Sequence, residues 1–285
     1  MAALQGIKRR IRSVTSTRQI TKAMQLVAAS KLRRAQEAAT GPQAYIAAAR
    51  EVLAGLSGSS NAQRHPLYQV RPVRQALTIV IAGDRGMAGA YNSNIFKALG
   101  RHLHALNVPQ QAICIGRHAM LQVARASDID ELAAYLIDDG DADIALAQPV
   151  LREATQLYET GQVDAVHIIS TRFVSTIKQE ANVRQLLPVT GSEGEATERE
   201  FEPNPEELLD YATRRVLEAE VLQAILEARA SEQAARMMAM MNATDNAKDL
   251  IEDLTLTYND ARQAAITQEL AEISGGAEAI SQAGV

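Results

Sequence analysis

The sequence predicts an α/β fold: a Rossmann-like, mostly parallel sheet flanked by helices, inserted between two long terminal helices that form an antiparallel coiled coil. Three observations carry this expectation. Both ends of the chain read as uninterrupted helix, and the middle alternates strand with helix. The ends also carry opposite charge. Residues 1–34 hold nine bases and no acid, whereas the stretch from Pro205 onward holds 15 acids against six bases. Opposite charge suits two helices that pack together, and a domain lying between them returns both to the same end, hence antiparallel.

Along the chain, residues 3–57 read as the first helix. Apolar or small residues recur at Leu4, Ile7, Ile11, Val14, Thr21, Ala28, Leu32 and Ala35, close to a 3–4 spacing. Gly41-Pro42 kinks this helix rather than ending it, because "QAYIAAAREVLAGL" resumes helical composition. Residues 58–69, within and beyond "SGSSNAQRHP", form a linker. Residues 70–204 hold the α/β domain. There "ALTIVIAG", "QQAICIG" and "VDAVHIIST" are strands; "NSNIFKALGRHLHAL", capped by Asn92 or Ser93, "RHAMLQVARA" and "DADIALAQPVLREATQLYETG" are helices. "FVSTIKQEANVRQLLPV" reads as one long exposed strand, "TGSEGEATERE" as a turn, and "REFE" as a short edge strand. Alternation of this kind implies a mostly parallel sheet with helices on both faces.

Residues 205–274 form the second long helix, with Asn204 as cap, Pro205 at the first helical position and "SGG" at Ser274–Gly276 as the stop; 275–285 are a tail. At ~1.5 Å per residue the two rods span on the order of 80 and 100 Å. A heptad frame puts Val216, Ala230, Met237, Thr244, Ile251, Tyr258 and Ala265 on one seam line. Ala219, Leu226, Met240, Ala247, Leu254 and Ala261 fall on the other, and Gln223, Gln233 and Gln268 interrupt the pattern. The seam is thin. In "ARMMAMMNATDNA" four methionines fall within five positions, amid alanine, so Met237, Met240, Ile251 and Leu254 make a seam of small and flexible side chains.

Catalytic chemistry finds little support. "GDRGMAGAYNSN" (83–94) sits between strand and helix, but its glycines at 83, 86 and 89 match neither dinucleotide nor P-loop spacing, and the P-loop lysine is missing. It reads as a tight turn that binds no nucleotide directly. "DDGDAD" (138–143) has Ile144 and Val150 where a calcium loop needs Gly and Glu, so no metal is expected. His102 and His104 diverge by about 200° on a helix, unsuited to a shared zinc. The chain lacks G-x-S-x-G, H-E-x-x-H and Cys–His patterns. Its single cysteine, Cys114, cannot form an internal disulfide. No apolar run reaches the roughly 20 residues that cross a bilayer, and the basic N-terminus has no signal-peptide core. The basic helix lacks interleaved aromatics, so it suits an acidic protein surface better than nucleic acid. A nucleotide-binding α/β protein and a nucleic-acid-binding coiled coil are the alternative readings.

Three stretches together resemble one family, the gamma subunit of F-type ATP synthases. They are "IKRRIRSVTSTRQITKAMQLVAASKLRRAQ" (7–36), "GDRGMAGAYNSNI" (83–95) and "SEQAARMMAMMNATDNAKDLIEDLTLTYNDARQAAITQELAEISGGAEA" (231–279). Met87 and Ala88 are mild departures from the family's turn. The resemblance implies a central-stalk rotor subunit without a catalytic site or cofactor of its own. It couples ion-driven rotation of a membrane proteolipid c ring to the catalytic beta subunits, which make ATP from ADP and phosphate. Implied partners are the alpha and beta subunits of the catalytic hexamer, the epsilon subunit and the c ring. The implied location is peripheral, at the cytoplasmic face of a bacterial cell membrane, with membrane contact only through the complex. By motif match, Lys22 and Met24 face the acidic lever loop of beta, and Arg262, Gln263 and Gln268 meet the beta catch loop. Phe201 and Glu202 lie on the epsilon and proteolipid side. The regulatory cysteine pair of photosynthetic members is missing, so thiol control is not expected.

Overall fold

The computed structural model describes residues 2–57, 64–136, 142–189 and 205–283. In chain order these form α1 (Ala2–Ser57), a short 3-10 turn (Pro66–Tyr68), β1 (Ala76–Ile81), α2 (Tyr91–Leu106), β2 (Gln110–Ile115) and α3 (Arg117–Val123). Then follow β3 (Asp130–Tyr135), α4 (Ala142–Glu159), β4 (Ala165–Phe173), β5 (Gln179–Leu187) and α5 (Pro205–Ala283). The sheet runs β3-β2-β1-β4-β5. Its first four strands are parallel and β5 is antiparallel to β4.

Alternate residues of each strand feed opposite faces, as the pleat requires. On one face Leu77, Ile79, Ile81, Ile113, Ile115 and Ile168 pack with α4 through Val150, Ala154 and Tyr158, and with α5 through Leu217, Val221 and Ile225. On the other, Val80, Ala112, Cys114 and Ile169 pack with Ile95 and Leu99 of α2 and Val123 of α3. Covered on both sides, β1 is wholly buried, and "ALTIVI" is accordingly a continuous apolar run.

Four local details differ from the sequence expectation. The strand β3 was not anticipated: "DELAAY" is an edge strand exposed along most of its length, so it carries no apolar run. The single long strand expected from Phe173 is a hairpin. The backbone N–H groups of Val174 and Ser175 both donate to the Lys178 carbonyl, at 3.3 and 2.9 Å, closing a turn, and β5 begins only at Gln179. Helix α2 starts at Tyr91 without a side-chain cap. Asn92 instead accepts a hydrogen bond from Gly83 N at 3.0 Å, and Ser93 Oγ donates to the Ala90 carbonyl. Finally, α5 continues through Ser274–Gly276 to Ala283. A helical glycine costs only ~1 kcal/mol relative to alanine, and no proline follows to end the helix. The expected turn and strand over 190–200, Asn204, Phe201 and Glu202 lie outside the described residues, as does most of "DDGDAD".

The chain groups into two compact units. One comprises Met1–Val27 with Met237–Val285, the other Ala28–Arg236. Both terminal helices contribute to each. In the larger unit, α1 and α5 are antiparallel: Arg50 Nε donates to Glu220 Oε1 at 2.9 Å, whereas Leu53, further along α1, packs with Leu209 and Val216, earlier on α5. The start of α5 is fastened by His65 Nε2, 3.1 Å from Asp210, and by Arg214, which bridges Asp210 and Glu159. Because His65 Nδ1 accepts from Leu67 N, its Nε2 carries the proton given to Asp210. Among the described residues no helix is long and apolar enough to cross a membrane.

Candidate functional site

The loop Gly83–Ala90 follows β1 and precedes α2, at the point where strand order reverses between β1 and β4. Doubly wound sheets commonly bind ligands in that crevice. Here the crevice holds protein. Tyr91 Oη donates to the Ala228 carbonyl of α5 at 3.0 Å, and Ser231 Oγ donates to the Thr171 carbonyl of β4 at 3.3 Å. Arg236 closes over the loop, its Nη2 donating to the carbonyls of Arg85 (3.2 Å) and Gly86 (3.4 Å) and to Glu232 Oε1. Both members of the Glu232–Arg236 pair are only 9% exposed.

The backbone of the turn is equally committed. Gly83 N goes to Asn92, Arg117 N donates to Asp84 Oδ1 at 2.7 Å, and His118 N donates to the Gly83 carbonyl at 3.0 Å. A Cβ at Gly83 would meet the Glu232 carboxylate at 3.0 Å. Gly116, at φ 96°, comes so close to β1 that a Cβ would lie 2.1 Å from the Ala82 carbonyl. Burial and the Glu232 charge hold the Tyr91 phenol well above its usual range, so it remains a donor to Ala228. The glycine-rich turn is a bracket that grips α5.

Sequence reasoning missed Glu232 and Arg236 as parts of this bracket. The available signal was composition: residues 221–236, "VLQAILEARASEQAAR", are small or apolar around much of the helix circumference, which marks a helix buried on all sides.

In the smaller unit, burial along α5 follows the heptad frame. Met240, Thr244 and Ala247 are buried, and Met237, Ile251, Leu254, Tyr258, Ala261 and Ala265 are half-buried at the intervening 3–4 steps. On α1 the corresponding less exposed residues are Leu4, Ile7, Ile11, Val14, Thr21 and Met24. The helices meet at a buried polar contact, where Thr244 Oγ1 donates to Thr21 Oγ1 at 2.8 Å and Thr21 Oγ1 to the Arg18 carbonyl at 3.1 Å. Lys22, Arg262, Gln263 and Gln268 are exposed, so their side chains are available outside the helix pair. Gln268 Nε2 donates to Glu272 at 3.0 Å. Ile20, Leu26, Val27, Leu256, Ile266, Leu270 and Ile273 are also exposed, between 49% and 69%. Six bases on 1–27 offset a net of six acidic charges on 237–285, so the unit carries no net charge.

The family model described as "ATP synthase" matches residues 3–280. Curated relatives named ATP synthase gamma chain include those of Heliobacterium modesticaldum, 39% identical, and Acidithiobacillus ferrooxidans, 42% identical. Each match covers 98% of this chain and the whole relative. The chain belongs to the ATP synthase gamma-chain family. Solved structures of the same fold include a chain of the Euglena gracilis mitochondrial ATP synthase OSCP/F1/c-ring assembly. It matches at TM-score 0.70 and 19% identity over 98% of this chain and 95% of that one. A chain of the Tetrahymena thermophila mitochondrial ATP synthase central stalk and c ring matches at TM-score 0.60 and 24% identity, over 79% and 99%. In this gamma chain the glycine-rich turn clasps the chain's own helix α5.

Proposed function

We propose that this gamma chain is the rotor shaft of a rotary ATP synthase, with no catalytic site of its own. The observation that carries the reading is the smaller unit: a thin two-helix seam, buried at Thr21, Met240, Thr244 and Ala247, with seven large apolar side chains 49–69% exposed around it. Two helices alone cannot cover that surface, and exposed apolar groups in such number mark a surface that a partner sheathes. The sheath is the ring of alpha and beta subunits. Lys22 and Met24 face the acidic lever loop of beta, while Arg262, Gln263 and Gln268 meet its catch loop. Phe201 and Glu202 serve the epsilon and c-ring side. The chain is peripheral, held at the cytoplasmic face of the bacterial membrane by the complex.

A shaft turning in a sleeve must avoid one deep preferred orientation. A single well-matched Leu-sized side chain contributes ~1.5–3 kcal/mol on burial, enough to create such a trap. Methionine adapts its three torsions to whichever surface it meets, and alanine offers little to lock. Exposed charge pairs give ~0.2–1 kcal/mol each, so torque is spread over many contacts rather than borne by one. The defining experiment is co-purification. The tagged chain is expected to bring down alpha and beta chains in a complex that hydrolyses ATP, and Arg262→Ala or Met24→Ala is expected to lower turnover only modestly. Purification without those chains overturns the assignment; complete loss of turnover from either substitution overturns distributed load.

A further inference from the structure

The lower part of the α2-covered sheet face is polar. His102 extends the sheet-facing stripe of α2 made by Ile95, Ala98 and Leu99, and its ring lies 4.5 Å from that of His167 on β4, at 64°. His167 pairs in register with Thr78 of β1, whose hydroxyl donates to Gln110 Oε1 at 2.8 Å. His167 and Gln110 are 9% and 3% exposed. Three buried atoms of this cluster have no hydrogen-bond partner within the protein: His102 Nε2, His167 Nδ1 and Gln110 Nε2. Buried polar groups left unpaired cost ~1–3 kcal/mol each, and a cluster of three calls for a common ligand.

We propose that one ordered water molecule is bound between α2 and the sheet, accepting from Gln110 Nε2 and donating to His102 Nε2 and His167 Nδ1. The hydrogen-bond count balances. Gln110 Nε2 is purely a donor, since its Oε1 already accepts from Thr78, and a water has two protons for two imidazole lone pairs. Buried waters typically make about three hydrogen bonds to otherwise unsatisfied groups. A metal cation is the wrong ligand on electrostatic grounds. The polar strand neighbours are neutral: Thr78, which pairs in register with His167 and donates to Gln110, and Gln185, opposite His167 on β5. A divalent charge there would be buried without a counter-ion. Burial keeps both imidazoles neutral, lowering His102 and taking His167 down to about 4, which preserves the lone pairs the water needs.

The arrangement fixes both tautomers: His102 carries its proton on Nδ1 and His167 on Nε2. Long-range proton–nitrogen spectra of the full-length chain at neutral pH read them directly, and a high-resolution crystal structure reads the density. The expected result is those two tautomers with one spherical peak, without anomalous signal, within hydrogen-bond distance of all three atoms. Either imidazole in the opposite tautomer, no peak, a peak reaching fewer than three of the atoms, or an anomalous scatterer overturns the assignment.

Discussion

Replacing Arg236 by alanine tests the bracket around α5. The side chain is 9% exposed and donates to the Arg85 and Gly86 carbonyls and to Glu232. Its removal leaves the Glu232 carboxylate equally buried and without its cation, beside Tyr91. Breaking a buried pair from one side costs about 3–5 kcal/mol, which for a unit of this size lowers Tm by roughly 10 °C. The reverse substitution is milder. In Glu232→Gln, Arg236 keeps both backbone carbonyls and gains a neutral amide, so about 1–2 kcal/mol is lost. The double variant Glu232→Gln/Arg236→Met is expected to be more stable than Arg236→Ala, because no charge is stranded. Urea denaturation of the full chain, followed by circular dichroism, measures all three. If Arg236→Ala lies within about 1 kcal/mol of the parent, or Glu232→Gln loses as much as Arg236→Ala, the pair does not hold the loop.

Three further outcomes follow from other parts of the larger unit. Because burial depresses His102 and His167 below the ordinary histidine value, the unfolded chain binds more protons in acid. Stability is therefore complete above about pH 6.5 and falls as pH drops towards about 4; His167→Phe should flatten that slope in pH-dependent denaturation. The Cys114 thiol is fully buried and pushed up to about 12 by burial and by Glu131, so thiol reagents should label it only on unfolding. Stoichiometric labelling of the native chain would contradict that environment. Gly116→Ala places a methyl group 2.1 Å from the Ala82 carbonyl at a φ of 96°. It should destabilise the chain by several kcal/mol, about the upper range for a point mutation, as read by thermal melting.

Patterns set by burial on both faces were the most legible in the sequence. "ALTIVI" and "QQAICI" announce central parallel strands because nothing polar has to face water there, and the 3–4 recurrence of Met237, Met240, Thr244 and Ala247 reappears as the buried line of α5. Edge elements were obscure for the opposite reason. With most of its side chains in water, β3 has no run to show, and β5 alternates so weakly that its turn from β4 merged with it. Glycine misled in one direction only: Gly275 and Gly276 have the composition of a stop, but the helix passes through them. The phosphate-loop question was answerable only in part. Spacing argued against a nucleotide, whereas the presence of Glu232 and Arg236 in the crevice rests on a contact over about 150 residues of sequence separation. Nothing local in "GDRGMAGAYN" shows what fills it.

Single-molecule observation of the assembled complex tests the central claim most directly. With the alpha and beta ring fixed to a surface and a bead attached to the Ala28–Arg236 unit of this chain, ATP should drive continuous rotation of the bead in one direction. A complex that hydrolyses ATP at full rate while the bead stays still would contradict the account.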